Sequence, residues 1–156
     1  DISTNISLSK NKNIDYKTNF NGEVTNWGDT DISFSPNLIS SVGFNYSPKK
    51  DLNISILNKF VGDQYMSNTE SVVSKLNSYS TTDLNFIYSF KKSKYFNEII
   101  FTAMLNNIFN KEYVSNGYYY TYDDTWSDPN IVTTIEGTGY YPQAKRNFLI
   151  GFTFKL

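Results

Sequence analysis

The chain has 156 residues and contains neither Cys nor His, which excludes thiol nucleophiles, disulfides, Cys/His zinc sites and imidazole bases. Fourteen Lys and Arg stand against fifteen Asp and Glu, for a net charge of −1, so no electrostatic grip on nucleic acid is expected. Aromatic residues make up 17%, with 13 Tyr and 12 Phe, and charged residues only 19%. That balance fits neither disorder nor a helical membrane protein, and it points to an all-β chain with an aromatic, half-apolar surface.

One domain, 1–156, is expected from the length. The opening Asp1-Ile2-Ser3-Thr4-Asn5 lacks an initiator Met, a basic segment and an apolar segment, so it reads as a processed or partial chain. No run of 18 apolar residues occurs, but strands that alternate can still cross a bilayer.

Period-2 alternation predicts six strands. The first, 2–14, is the weakest, with Ile2, Ile6 and Leu8 on one parity. In 38–46, Leu38, Val42, Phe44 and Tyr46 share a face opposite Gly43. Segment 52–65 begins with Leu52, Ile54 and Ile56 and loses strict alternation near Leu57-Asn58. In 80–90, Leu84, Phe86, Tyr88 and Phe90 oppose Asp83 and Asn85. In 99–105, Ile99, Phe101, Ala103 and Leu105 oppose Thr102. The last strand, 146–156, sets Phe148, Ile150, Phe152, Phe154 and Leu156 against Leu149, Gly151, Thr153 and Lys155. Tight polar turns, 47–51 and 91–97, alternate with long loops, about 15–36, 66–78 and 110–146. Short turns at one end and long loops at the other describe an antiparallel up-and-down transmembrane barrel. A soluble β-sandwich that binds glycans through a Tyr-rich loop, 117–141, is the competing expectation, and a small complete barrel with strands hidden in the loops is a third. Six strands do not close a bacterial barrel, and an open edge in lipid leaves backbone groups unpaired.

No catalytic constellation is present: there is no G-x-S-x-G, Walker loop or G-x-G-x-x-G. The chain is therefore not expected to be an enzyme or to hold a cofactor or metal. Asp123, Asp124 and Asp128 lack the spacing of a calcium loop and read as a solvated acidic loop.

Three segments carry a resemblance. Lys59-Phe60-Val61-Gly62-Asp63-Gln64-Tyr65 resembles a strand end of TonB-dependent outer-membrane receptors. Leu105-Asn106-Asn107-Ile108-Phe109-Asn110-Lys111-Glu112-Tyr113 is similar to their penultimate-strand signature. Tyr141-Pro142-Gln143-Ala144-Lys145-Arg146-Asn147-Phe148, followed by Gly151-Phe152-Thr153-Phe154, resembles their last strand, with Leu149 and Leu156 departing from the polar and terminal aromatic residues expected there. The resemblance implies a plugged barrel of roughly 22 strands, to which this chain contributes about six as its C-terminal part. The plug and the N-terminal barrel strands would lie outside it. It further implies nutrient uptake across the outer membrane of a Gram-negative bacterium. The implied partners are the rest of the receptor, outer-membrane lipid, the TonB energy-coupling complex acting through the plug, and a surface lipoprotein.

Under that reading Val42, Phe44, Leu84, Phe86, Tyr88, Phe101, Leu105, Phe148, Ile150, Phe152 and Phe154 face lipid. Gly43, Asp83, Asn85, Thr102 and Thr153 face the lumen. Asn106, Asn107 and Asn110 pair with backbone and water where a strand leaves the membrane, and Ile108 or Phe109 anchors in the interface. Gly62 permits a close approach, and Arg146 opens the last strand at the outer rim. The ligand-contact candidates are Tyr118, Tyr119, Tyr120, Tyr122, Trp126, Tyr140 and Tyr141, because Tyr and Trp offer rigid contact area at low entropic cost.

Overall fold

The computed structural model describes residues 1–20, 22–91, 95–128 and 130–156. Twelve strands follow one another: β1 (Ile2–Leu8), β2 (Lys12–Phe20), β3 (Glu23–Asp31), β4 (Leu38–Lys49), β5 (Leu52–Val61), β6 (Gln64–Tyr65), β7 (Lys75–Leu76), β8 (Tyr79–Lys91), β9 (Glu98–Asn106), β10 (Val114–Asp124), β11 (Thr133–Pro142) and β12 (Asn147–Lys155). A single 3₁₀ turn, Val72–Ser74, precedes β7, and among the described residues there is no α-helix.

Six strands build one antiparallel sheet in the order β1-β4-β5-β8-β9-β12. They are the six strands that alternation predicts. Each neighbour in space is also the next sheet strand in sequence, which makes the sheet an up-and-down meander. It is open: no closed barrel forms, and β1 and β12 each pair on one side only.

Four expectations need correction. The predicted first strand, 2–14, breaks after Leu8, and Lys12 already opens the next strand. Segment 52–65 likewise breaks after Val61, before the two-residue β6. The long connections are not irregular loops. Each carries a two-stranded ladder, β2–β3, β6–β7 or β10–β11. Strands do hide in the loops, but they pair with each other and do not close the sheet. The turn predicted over 47–51 narrows, since β4 runs to Lys49, and Lys92, Ser93 and Lys94 of the other turn lie outside the described residues.

The register carries one apolar face across all six strands, because directly paired residues share a face. Phe148, Ile150, Phe152 and Phe154 oppose Leu105, Ala103, Phe101 and Ile99. These in turn oppose Leu84, Phe86, Tyr88 and Phe90. The face continues through Leu52, Ile54 and Ile56 to Tyr46, Phe44 and Val42, and ends on Ile2, Thr4 and Ile6. All the residues expected to face lipid lie on it, and Gly43, Asp83, Asn85, Thr102 and Thr153 lie on the other. That other face is mixed rather than polar, since Leu57, Ile87, Met104 and Leu149 also stand on it, exposed.

Among the described residues no element packs over the apolar face. Phe152 is 60% exposed and Phe148 73%. The buried apolar side chains are Val61, Met66 and Leu76, all at the end of the sheet where the long connections meet. There the β5–β8 connection, residues 62–78, is the hub. Gly62 donates its N–H to the Leu38 carbonyl at 2.8 Å, and a Cβ on it would come within 3.1 Å of that oxygen, so a side chain would push β4 away. The β2–β3 hairpin docks on the same hub. Lys12 pairs with Asp31 at 2.8 Å and with Glu70 at 3.4 Å, Glu70 also accepts the Asp31 N–H, and Asn68 Oδ1 accepts the Ser33 N–H at 2.7 Å.

Candidate functional site

The site is the hairpin β10–β11 with the turn that launches it. After β9 the chain must leave the sheet, and Asn107 turns it. Its φ is +51°, a left-handed conformation that Asn tolerates better than most residues. It is buried, yet every polar group has a partner. Its N–H donates to Asp83 Oδ1 at 2.8 Å, its Nδ2 to the Lys111 carbonyl at 2.8 Å and the Ala144 carbonyl at 3.3 Å, and its Oδ1 accepts the Lys111 N–H at 2.9 Å. Asn110 is the second left-handed residue, and its Oδ1 accepts the Arg146 N–H at 3.0 Å. Asn106 bonds Asn147 across the strands at 2.9 Å. The segment 105–113 thus clamps both legs of the hairpin to the sheet, while Phe109 stands 76% exposed beside it.

Beyond the clamp, β10 and β11 pair from Val114↔Pro142 to Asp124↔Thr133, with a bulge between Val114 and Asn116. Alternation then sorts six of the seven candidate aromatics onto two faces, Trp126 lying just beyond β10. Tyr118, Tyr120, Tyr122 and Tyr141 fall on one, and Tyr119 and Tyr140 on the other. On the first face the rings form a ladder. Tyr141 lies 6.1 Å from Tyr118, Tyr118 6.2 Å from Tyr120, Tyr120 6.4 Å from Tyr122, and Tyr122 5.8 Å from Trp126. The last pair is nearly parallel, at 4°. Asp124 sets Trp126 there by accepting the N–H groups of Trp126 and Ser127 at 3.1 and 3.0 Å. Those bonds hold its carboxyl below the ordinary range, with the Ser127 contacts contributing most.

Sequence reasoning missed Gly137 and Gly139. They lie directly opposite Tyr120 and Tyr118, and a Cβ on either would collide with the facing Tyr ring. The rings lean across β11 into the space the missing side chains leave. The alternation Gly137-Thr138-Gly139, matched to alternate Tyr residues, was the available signal.

The second face packs toward the hub. Tyr119 donates its hydroxyl to Glu136, and both reach Ser71. Removal from solvent, and then the Glu136 bond, raise the Tyr119 phenol. The same Tyr119 bond, followed by Ser71, lowers the Glu136 carboxyl. Gln64 Nε2 adds a bond to the Ser115 carbonyl at 3.4 Å. A cavity of about 330 Å³ lies between hub and hairpin, lined by Lys75, Leu76, Lys111, Glu112, Tyr113 and Tyr140 among others. Of its charged lining residues, Lys75 pairs with Asp63 at 2.7 Å, and Glu112 pairs with Lys145 outside the lining. The acidic residues of the hairpin tip are engaged separately. Asp123 accepts from Thr134, and Asp128 from the Asn130 N–H. Among the described residues no group of three or more acidic side chains is placed to hold a metal ion.

Fold and site together define an antiparallel all-β chain that carries an exposed aromatic ladder at one end of a bare apolar sheet. No protein-family model, curated protein or solved structure matches this chain.

Proposed function

We propose that this chain forms wall and outer rim of a TonB-dependent receptor for nutrient uptake across the bacterial outer membrane, with the plug and remaining strands supplied by the rest of the receptor. The observation that carries the reading is the apolar face, continuous over six strands, exposed on β1, β4 and β12 and half-buried on β8 and β9 only by its own neighbours in the sheet. In water such a face is an aggregation surface, and in a bilayer it is a solvated one. Dimensions agree. On β8, Leu84 to Phe90 spans about 20 Å at ~3.3 Å per residue, close to the apolar band of about 25 Å on a membrane barrel. Aromatic rings gather toward the short-turn end, where Tyr88 packs on Phe90 and Phe96 on Phe154, as a girdle would. At the other end the face turns polar, with Asn58 bonded to Ser80 and Thr82.

A soluble glycan-binding sandwich is favoured by the aromatic ladder alone. It needs a second sheet over the apolar face, and among the described residues the three hairpins stand at one end and leave that face bare.

The test is the solvent requirement of the full chain. Together with the neighbouring strands it is expected to fractionate with the outer membrane, and alone to stay monodisperse only in detergent. A folded, monodisperse chain in plain buffer overturns the reading.

A further inference from the structure

We propose that the exposed face of the β10–β11 hairpin docks an extended cationic polypeptide segment, one carrying Lys or Arg at every second position. This deepens the reading of the hairpin as the receptor's outer ligand surface and rests on it only in facing the ladder away from the cell.

The first argument is geometric. The rings of Tyr141, Tyr118, Tyr120, Tyr122 and Trp126 follow one another at 6.1, 6.2, 6.4 and 5.8 Å. An extended polypeptide sets its alternate side chains about 6.6 Å apart, at ~3.3 Å per residue. A peptide laid along the ladder therefore brings one side chain of a given face to each ring. The rings are between 42% and 69% exposed, so they are open to such a partner.

The second argument is charge. Residues 114–142 contain Asp123, Asp124, Asp128 and Glu136 and no Lys or Arg. The chain as a whole is close to neutral, so this is a local concentration. Asp124 shares the ladder's face and Asp128 stands at the tip beside it, while Asp123 and Glu136 fall on the opposite face; hydrogen bonds from Thr134, from the Trp126 and Ser127 amides, from the Asn130 amide and from Tyr119 orient the four carboxylates without neutralising them. Among the described residues none of the four enters an ion pair. Cations begin only at the hairpin's base, with Lys111 and Lys145. Aromatic faces attract cations through their quadrupole, and the acidic tip adds a long-range field of the same preference. An anionic ligand would meet repulsion. A neutral sugar would stack on the rings but would draw nothing from the field of the acidic tip.

The experiment is calorimetric titration of the full chain in a non-ionic polyoxyethylene detergent. The probes are an alternating Arg-Thr decapeptide, its Glu-Thr and Ser-Thr counterparts, and maltohexaose. Only the Arg-Thr peptide is expected to bind. Its affinity should fall about tenfold or more when Asp123, Asp124 and Asp128 are together changed to Asn, and again in Tyr120→Ala/Tyr122→Ala. Tyr120→Phe should retain binding, because it keeps the ring over Gly137. Binding should also weaken as salt is raised. Asp128 is exposed and Asp123 and Asp124 are half-buried, with Asn keeping an acceptor oxygen for the Trp126 and Ser127 amides, and near-ultraviolet circular dichroism checks that each variant keeps its aromatic packing. No heat with the Arg-Thr peptide, equal binding of the Glu-Thr peptide or of maltohexaose, or indifference to the Asn substitutions each overturns the proposal. Heat-modifiable gel mobility in the same detergent reports the membrane fold separately, so failure of docking and failure of the receptor reading give different results.

Discussion

Asn107 ties three segments of the chain together through one polar side chain. It is 4% exposed, holds a left-handed φ and makes three side-chain hydrogen bonds that join β9, the hairpin and the start of β12. Asn107→Ala would leave the Lys111 and Ala144 groups without their partner and put a Cβ-bearing residue without local hydrogen bonding in a left-handed conformation. It is expected to cost about 2–4 kcal/mol in denaturant unfolding from micelles. Asn107→Gly should cost less, because it restores the backbone freedom and loses only the bonds. Equal costs would show that the conformation is not strained. Glu136 gives a pH prediction. Its carboxyl is lowered in the folded chain by Tyr119 and Ser71. A depressed carboxyl contributes stability that is complete above its unfolded value, near 4.5, and disappears as the pH falls through the folded value. The hairpin should therefore loosen from the hub on acidification from pH 5 downward, seen as loss of tyrosine near-ultraviolet dichroism, and Glu136→Gln should abolish that step.

At the scale of elements, the register makes a sharp distinction between adjacent residues of β12. Phe152 opposes Phe101 on the apolar face, with their rings 5.2 Å apart, while Thr153 opposes Ile100 on the other. Phe152→Arg should cost about 2–4 kcal/mol in a bilayer if it lies near the midplane, and Thr153→Arg much less. Unfolding from lipid vesicles, with the neighbouring barrel strands supplied, measures both, and equal costs would contradict the register. The contrast shows which elements were legible. The six sheet strands alternate Leu, Ile and Phe with polar residues, so the period is visible before any fold is known. The hairpins were not legible for opposite reasons. In β2–β3, Ile14, Tyr16 and Phe20 share a parity but Lys12 and Thr18 interrupt it, β3 shows no such pattern, and the Asn-Gly dipeptide at 21–22, a hairpin signal, was the other local clue. In β10, Tyr118-Tyr119-Tyr120 occupy both parities, so composition hid the alternation that divides them between ladder and hub. The candidate site was legible as a set of residue types, but Tyr119 and Tyr140 separate from the rest only once the partner strand is in place.

At the scale of the whole molecule the two free edges dominate. An antiparallel edge turns the N–H and C=O of every second residue outward, so the 7 residues of β1 and 9 of β12 leave roughly 16 unpaired groups. At a few kcal/mol for each group moved unpaired into hydrocarbon, the cost is on the order of 30 kcal/mol or more. That exceeds the 5–15 kcal/mol net stability typical of a folded domain, roughly twofold or more. The sheet by itself therefore does not settle in a bilayer, and its edges require neighbouring strands before its apolar face can meet lipid. The requirement falls on the edges alone, since β4, β5, β8 and β9 are paired on both sides. Backbone amide exchange reads this directly. With the chain alone in micelles, alternate residues of β1 and β12 should exchange rapidly while β5 and β8 stay protected. Supplying the neighbouring barrel strands should slow the outward amides of both edge strands and leave β5 and β8 unchanged. Uniform protection of β1 and β12 in the isolated chain would mean that the edges already have partners, and the proposed place of this sheet within a larger barrel would fall.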